Sequence, residues 1–128
     1  MARIKSKAYF LLFLGFFLSS ATPIQAGDCG FGHCFGALGV TNDGLPTRAT
    51  NLQTATKAEE RINETCGTDG CLLVEVFSDG CAAIARYNRD GVFFGFAETE
   101  GDASAEALAL CSQDGSRTCY VSAQVCTR

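Results

Sequence analysis

The chain has 128 residues, with 14 Asp and Glu against 10 Lys and Arg, a single His, and a formal net charge of -4. That balance lacks the basic footprint needed for nucleic acid or an anionic membrane surface, and it allows a basic protein as partner. Some 100 residues beyond the N-terminal segment suffice for one small domain with a modest stability margin.

Residues 1–26 have three parts: a basic start with Arg3, Lys5 and Lys7, an apolar run over 8–18, and a small polar stretch ending at Ala26. This is the layout of a cleavable secretory signal, and its apolar core is short for a bilayer span. Residues 1–26 are therefore read as a signal peptide, with cleavage after Ala26 or, alternatively, Ala21. Residues 27–128 are read as a single exported domain, secreted or periplasmic. Asp28 stands where a lipoprotein signal needs a small residue before Cys29, so a soluble product without membrane insertion is expected. Loss of the leader removes three of the ten basic residues and no acidic one, which takes the charge to -7.

"GDCGFGHCFGAL" (27–38) places Cys29 and Cys34 around His33, the only histidine. Three local donors fall short of a closed zinc site, and the spacing is neither that of a thioredoxin-like redox pair nor that of haem attachment. A structural disulfide is the expectation, with no metal and no cofactor, and His33 becomes a loop residue between glycines.

An internal repeat organises residues 35–128. "FGALGVTNDG" (35–44) lies over "CAAIARYNRDG" (81–91), and "AEERINETCGTDGC" (58–71) over "ASAEALALCSQDGSRTC" (103–119), with a period of about 46 residues. The two copies run from about 35 to 80 and from 81 to 128, joined at Asp79-Gly80. Asp-Gly occurs five times, a pair suited to tight turns because Gly accepts positive φ and Asp tolerates it.

Each copy opens with a strand of small and branched residues. "GVFFGFAE" (91–98) is the returning strand of the second copy, whereas "GLPTRATNLQT" (44–54), with Pro46 and polar residues, suggests a shorter edge strand or a loop. Four-residue spacing puts Ala58, Ile62 and Cys66 on one helix face, and Ala103, Ala107 and Cys111 on another. Thr56 with Glu59 matches a capping box, and Asp102 is the candidate cap of the second helix. "CLLVEVF" (71–77) and "CYVSAQVC" (119–126) are the closing strands. The fold class is α+β: two β-β-α-β repeats forming one small, mostly antiparallel, disulfide-stapled domain.

All eight cysteines lie beyond residue 26, and an even number in an exported domain reads as a disulfide framework. Symmetry and proximity select Cys66–Cys71 and Cys111–Cys119 across short turns, and Cys81–Cys126 between the outer strands of the second copy. Cys29–Cys34 follows by elimination. Eight cysteines admit many other connectivities.

The Gly36-Ala37-Leu38-Gly39 and Ala82-Ala83-Ile84-Ala85 strands are followed by helices carrying Ala58-Glu59, Ile62-Asn63 and Cys66, and Ala103-Ser104, Ala107-Leu108 and Cys111. With the short turn to a further Cys and a valine-rich strand, the pattern resembles the bacterial exported family called domain of unknown function 4189, often found as two copies. Asn63 departs from it, standing where the family tends to have Leu. The resemblance covers nearly all of 27–128 and implies secretion and disulfides, with no known shared activity.

Chemistry is thinly supplied. There is no Gly-x-Ser-x-Gly, no phosphate-binding glycine loop followed by Lys and no His-Glu-x-x-His, so no catalytic residue is assigned and an enzyme is not expected. Glu98, Glu100 and Asp102 lie close in sequence and could supply an acid and a base, although negative charge is also simply favoured at a helix N-terminus. Val92, Phe94 and Phe96 share one strand face and are expected in the core. Phe93 then points the other way, where with Glu98 and Glu100 it would form a protein-binding patch. Asn63-Glu64-Thr65 matches a glycosylation sequon but falls inside the expected helix and is read as chance. The leading expectation is a small exported binding protein acting by protein–protein contact, one form being an inhibitor or immunity-type protein. The alternatives are a cell-wall or glycan-acting enzyme using the three carboxylates, and a structural envelope component with no specific ligand.

Overall fold

Short runs of small, branched and aromatic residues broken by glycine turns build strands too apolar to leave either face in water. In the computed structural model, which describes residues 29–88, 91–113, 115 and 118–128, each sheet is therefore covered twice. The expected leader 1–26, Asp28 and the Asp90 and Asp114 turns lie outside the described residues. The element order is β1 (Phe35–Val40), β2 (Pro46–Leu52), α1 (Ala55–Cys66), β3 (Leu73–Ser78), β4 (Gly80–Arg86), β5 (Val92–Ala97), α2 (Glu100–Cys111) and β6 (Tyr120–Thr127). It is an α+β arrangement of two β-β-α-β units with identical strand orders, β2-β1-β3 and β5-β4-β6, all pairings antiparallel.

Within each unit the helix carries the chain from one edge strand to the other, over the central strand. The sheets then pack face to face through Leu38, Val40, Phe77, Ala82, Ile84 and Val125. Ala58 and Ile62 of α1 cover the outer face of the first sheet at Ala37 and Ala49. Ala103, Ala107 and Cys111 of α2 cover the second sheet at Cys81, Ala83 and Ala85. The result is four layers, helix, sheet, sheet, helix. This explains why the central strands "FGALGV" and "GCAAIAR" are buried nearly throughout instead of alternating.

Small residues set the spacing of the outer layers. A Cβ on Gly95 of β5 would come within 2.2 Å of the Ala103 carbonyl oxygen and 2.4 Å of the Ala107 nitrogen, so α2 lies directly on this glycine. The two helix caps differ from expectation. Thr54, not Thr56, caps α1 by accepting from the Lys57 N–H, and Thr99, not Asp102, caps α2 by accepting from the Asp102 N–H. Both threonines have extended backbone, as an N-cap requires, whereas Thr56 and Asp102 are already inside the helices. The irregular "GLPTRATNLQT" stretch does form a strand, the seven-residue edge strand β2, which tolerates Pro46 as its first residue.

The four disulfides are Cys29–Cys34, Cys66–Cys71, Cys81–Cys126 and Cys111–Cys119. The Cys81 and Cys126 pair joins direct cross-strand partners on β4 and β6. Among the described residues, no helix is long and apolar enough to cross a membrane.

Candidate functional site

The sandwich has two ends of different character. One is the junction end, where unit one passes into unit two. Asp79 there takes a left-handed conformation (φ 48°) between β3 and β4, and its carboxylate receives two contacts from the N-terminal loop. The Cys34 N–H donates to Asp79 Oδ1 at 2.8 Å, and His33 Nδ1 lies 2.7 Å from Asp79 Oδ2. These donors hold the Asp79 carboxyl below the ordinary carboxylate range, the backbone N–H being the larger cause.

The same end gathers the C-terminus. The Cys29 N–H donates to the Arg128 carbonyl at 2.6 Å, and the Arg128 guanidinium donates to the Glu98 carbonyl at 2.6 Å. A bulge in β2 sets Asn51 at φ 61° and frees its N–H to donate to the hydroxyl of Thr127, which in turn donates to the Phe35 carbonyl. Thr127 is fully buried, so its hydroxyl is a polar pin between the two sheets.

His33 thus tethers a disulfide-closed lead-in to the turn between the units. The thiols of Cys29 and Cys34 are consumed by each other, and among the described residues no three His, Cys, Asp or Glu side chains gather as a metal-holding group.

The opposite, hairpin end is held mainly through backbone. The β1–β2 turn and the α1–β3 loop are neighbours: the Leu72 N–H donates to the Val40 carbonyl at 2.8 Å, and the Asn42 amide donates to the Gly70 carbonyl at 3.4 Å. Arg86, buried at the end of β4, donates to the Gly44 carbonyl and so ties the second sheet to the first hairpin. Arg86 is also the cross-strand partner of Tyr120. Around these ties stand four large exposed apolar side chains, Leu45 (62% exposed), Leu72 (60%), Leu73 (41%) and Tyr120 (54%). Leu73 and Tyr120 share faces with the core residues Val40 and Arg86, so they occupy the inner sheet faces where the sandwich runs out of cover. A groove of about 260 Å³ opens beside them between β2 and β6, lined by Pro46, Thr47, Arg48, Ser122, Ala123 and Gln124.

The residues singled out from sequence lie elsewhere. Val92, Phe94 and Phe96 do pack against the inter-sheet core, and Phe96 meets Phe77 with ring centroids 6.2 Å apart. Phe93, however, does not stand out into solvent. It shares a face with Ala85, is half-buried in the layer beneath α2, and lies against Tyr87 with ring centroids 6.3 Å apart. Its outer face is taken by the helix of its own unit. Glu98 lies five residues on, about 17 Å along extended chain, at the junction end. Glu98, Glu100 and Asp102 are exposed around the first turn of α2 and line neither the β2–β6 groove nor a second, charged groove along α1. The Phe93, Glu98 and Glu100 patch is therefore not assembled.

A family profile described as "Domain of unknown function (DUF4189)" matches residues 35–126, a stretch that runs from β1 into β6. The chain belongs to this family. The fold is also similar to the NMR structure of Rv1813c from Mycobacterium tuberculosis, with a TM-score of 0.57 and 22% identity, covering 73% of this chain and 74% of that one. At that identity the likeness shows a shared fold. No curated protein matches. Membership of the family brings no activity with it, so function is argued from the surface.

Leu45, Leu72, Leu73 and Tyr120 were not visible as a surface group in the sequence. "CLLVEVF" reads as one continuous buried strand, and only the limited overlap of the sheets leaves its start uncovered. A usable signal was the repeat itself: Leu72 and Tyr120 each follow the second cysteine of the helix–strand bridge, Cys71 and Cys119.

Proposed function

We propose that this protein is an exported binding protein that works, in the periplasm or outside the cell, by contact with another protein through its hairpin end. The observation that carries the reading is the clustering there of Leu45, Leu72, Leu73 and Tyr120, all at least 41% exposed, on backbone that two disulfides and the Arg86–Gly44 tie hold in place. Exposed apolar side chains are ordinary when scattered singly, but a rigid group of them at one end is how protein-binding surfaces look. Export is supported by the signal-like leader and by four disulfides, which persist in oxidising compartments.

The carboxylate-enzyme alternative has no observation in its favour, since its three residues stand apart from both grooves. An inhibitor or immunity role is one form that the binding reading takes. A photo-crosslinking residue at position 72, compared with one at position 100 on the far end, tests it in intact envelopes. A discrete adduct from position 72 alone is expected, and no adduct from 72, or equal labelling from 100, overturns the reading.

A further inference from the structure

We propose that the hairpin end takes a protein segment in which apolar side chains are flanked by Lys or Arg. The inference rests on the reading of this end as a protein-binding surface and adds the chemistry of the partner. Leu45, Leu72 and Leu73 form its apolar centre, brought together because the turn 41–45 and the loop 67–72 are joined through Asn42–Gly70 and Leu72–Val40 hydrogen bonds.

The charges in the turn and loop that carry this centre are all of one sign. Asp43 in the turn, Asp69 in the loop and Glu75, two residues beyond Leu73 on the same strand face, are exposed. No Lys or Arg occurs in 41–45 or 67–75. Arg86, at the end of β4, is 5% exposed and directed to the Gly44 carbonyl, inside the surface rather than on it. Arg48 stands further along β2, at the β2–β6 groove. An apolar centre whose own turn and loop, 41–45 and 67–75, carry only acidic charge selects a partner of the opposite sign, because these carboxylates steer encounter and penalise like charge.

The same charges argue against other occupants. A second copy of this chain would bring the same three carboxylates against these, and an anionic lipid surface would be repelled. What fits is a segment with two or three apolar side chains for the leucines and cationic side chains at the edges.

The test uses the disulfide-intact protein and three synthetic peptides: an amphipathic Leu/Lys peptide, its Leu/Glu counterpart, and a Ser/Lys peptide without apolar residues. Amide shifts are followed by NMR, alongside sedimentation with anionic vesicles. The Leu/Lys peptide is expected to shift amides of 41–45 and 67–75. Its affinity should fall at least tenfold in a Leu45→Ser/Leu72→Ser variant, at least fivefold in an Asp43→Asn/Asp69→Asn/Glu75→Gln variant, and markedly between about 0.05 and about 0.5 M salt. These substitutions are on exposed side chains and leave the core intact. Equal binding of the Leu/Glu or the Ser/Lys peptide, shifts centred elsewhere, or vesicle binding overturns the inference. If the partner identified by crosslinking at position 72 no longer co-purifies with the serine variant but binds the carboxamide variant at full affinity, surface binding stands and the charge selection falls.

Discussion

Removing the Cys81–Cys126 bridge, as a Cys81→Ala/Cys126→Ala double variant with the other bridges intact, separates two roles that disulfides play here. It spans 45 residues, whereas Cys29–Cys34 and Cys66–Cys71 each span 5 and Cys111–Cys119 spans 8. Loop-closure entropy of the unfolded chain then gives about 4 kcal/mol for the long bridge, about 2 for each five-residue bridge and about 2.5 for the eight-residue one. Cys81 is also 1% exposed and packed in the layer under α2, so the loss of its sulfur adds a small cavity cost in the same direction. Urea unfolding followed by far-ultraviolet circular dichroism reads the difference. With a slope of about 1.5 kcal/mol per molar, the midpoint should fall by about 2.5–3 M for the long bridge and by about 1.3 M for Cys66→Ala/Cys71→Ala. Should the long-bridge variant be unfolded without denaturant, the ranking of the two short bridges at the hairpin end still checks the entropy scaling. A long-bridge variant no less stable than the Cys66→Ala/Cys71→Ala variant would refute the reasoning.

Three further outcomes rest on particular contacts. Gly95→Ala places a Cβ against backbone atoms of α2, which cannot rotate away, so a loss of about 3 kcal/mol is expected in thermal unfolding, while Gly32→Ala, with open space around it, changes little. Thr127→Val keeps the shape but leaves the Asn51 N–H without its buried acceptor, costing about 1–3 kcal/mol, and Thr127→Ser recovers most of it; equal stability of the Val variant would remove the polar-pin role. The Asp79 carboxyl is depressed in the folded state, first by the Cys34 N–H and then by His33, so its contribution is present above the ordinary carboxylate value of 3.8 and is lost as pH falls through the lower folded value. Melting temperature should therefore drop less steeply across that acid window in Asp79→Asn than in the parent, and parallel curves would contradict the assignment.

The elements were legible because their causes are local. The repeat showed β1 and β4 as one kind of strand, and four-residue spacing showed the Ala58–Ile62 and Ala103–Ala107 faces. Cap positions were not, since Thr54 and Thr56 both stand just ahead of the helical pattern and only the backbone decides which stays extended. Phe93 failed for a different reason: alternation tells which face a side chain takes, but not what covers that face. The glycine at 95 and the alanines at 103 and 107 were the signal that a helix lies close there, because only matched small residues permit such an approach. His33 and Asp79 are 46 residues apart, one repeat length, so they precede the first strands of the two units at equivalent positions.

The two units close themselves by different means, and the difference separates stability from recognition. In unit two the first and last strands are locked by Cys81–Cys126; the corresponding pair in unit one is Phe35 and Ser78, aligned on β1 and β3 with no covalent link. Unit one is closed instead by the added Cys29–Cys34 loop, whose His33 and Cys34 N–H grip Asp79, and by Thr127 reaching from unit two. The polar ties that close the fold are thereby concentrated at the junction end. At the hairpin end the strands need only their turns, the Arg86–Gly44 tie and short disulfides, so the side chains there are released from packing. Leu45 and Leu72 can be exposed because the core does not depend on them, and it follows that replacing these two with serine should change binding while leaving the stability measured in urea within about 1.5 kcal/mol of the parent. A larger loss would mean that these leucines support the sandwich and are not held in reserve for a partner.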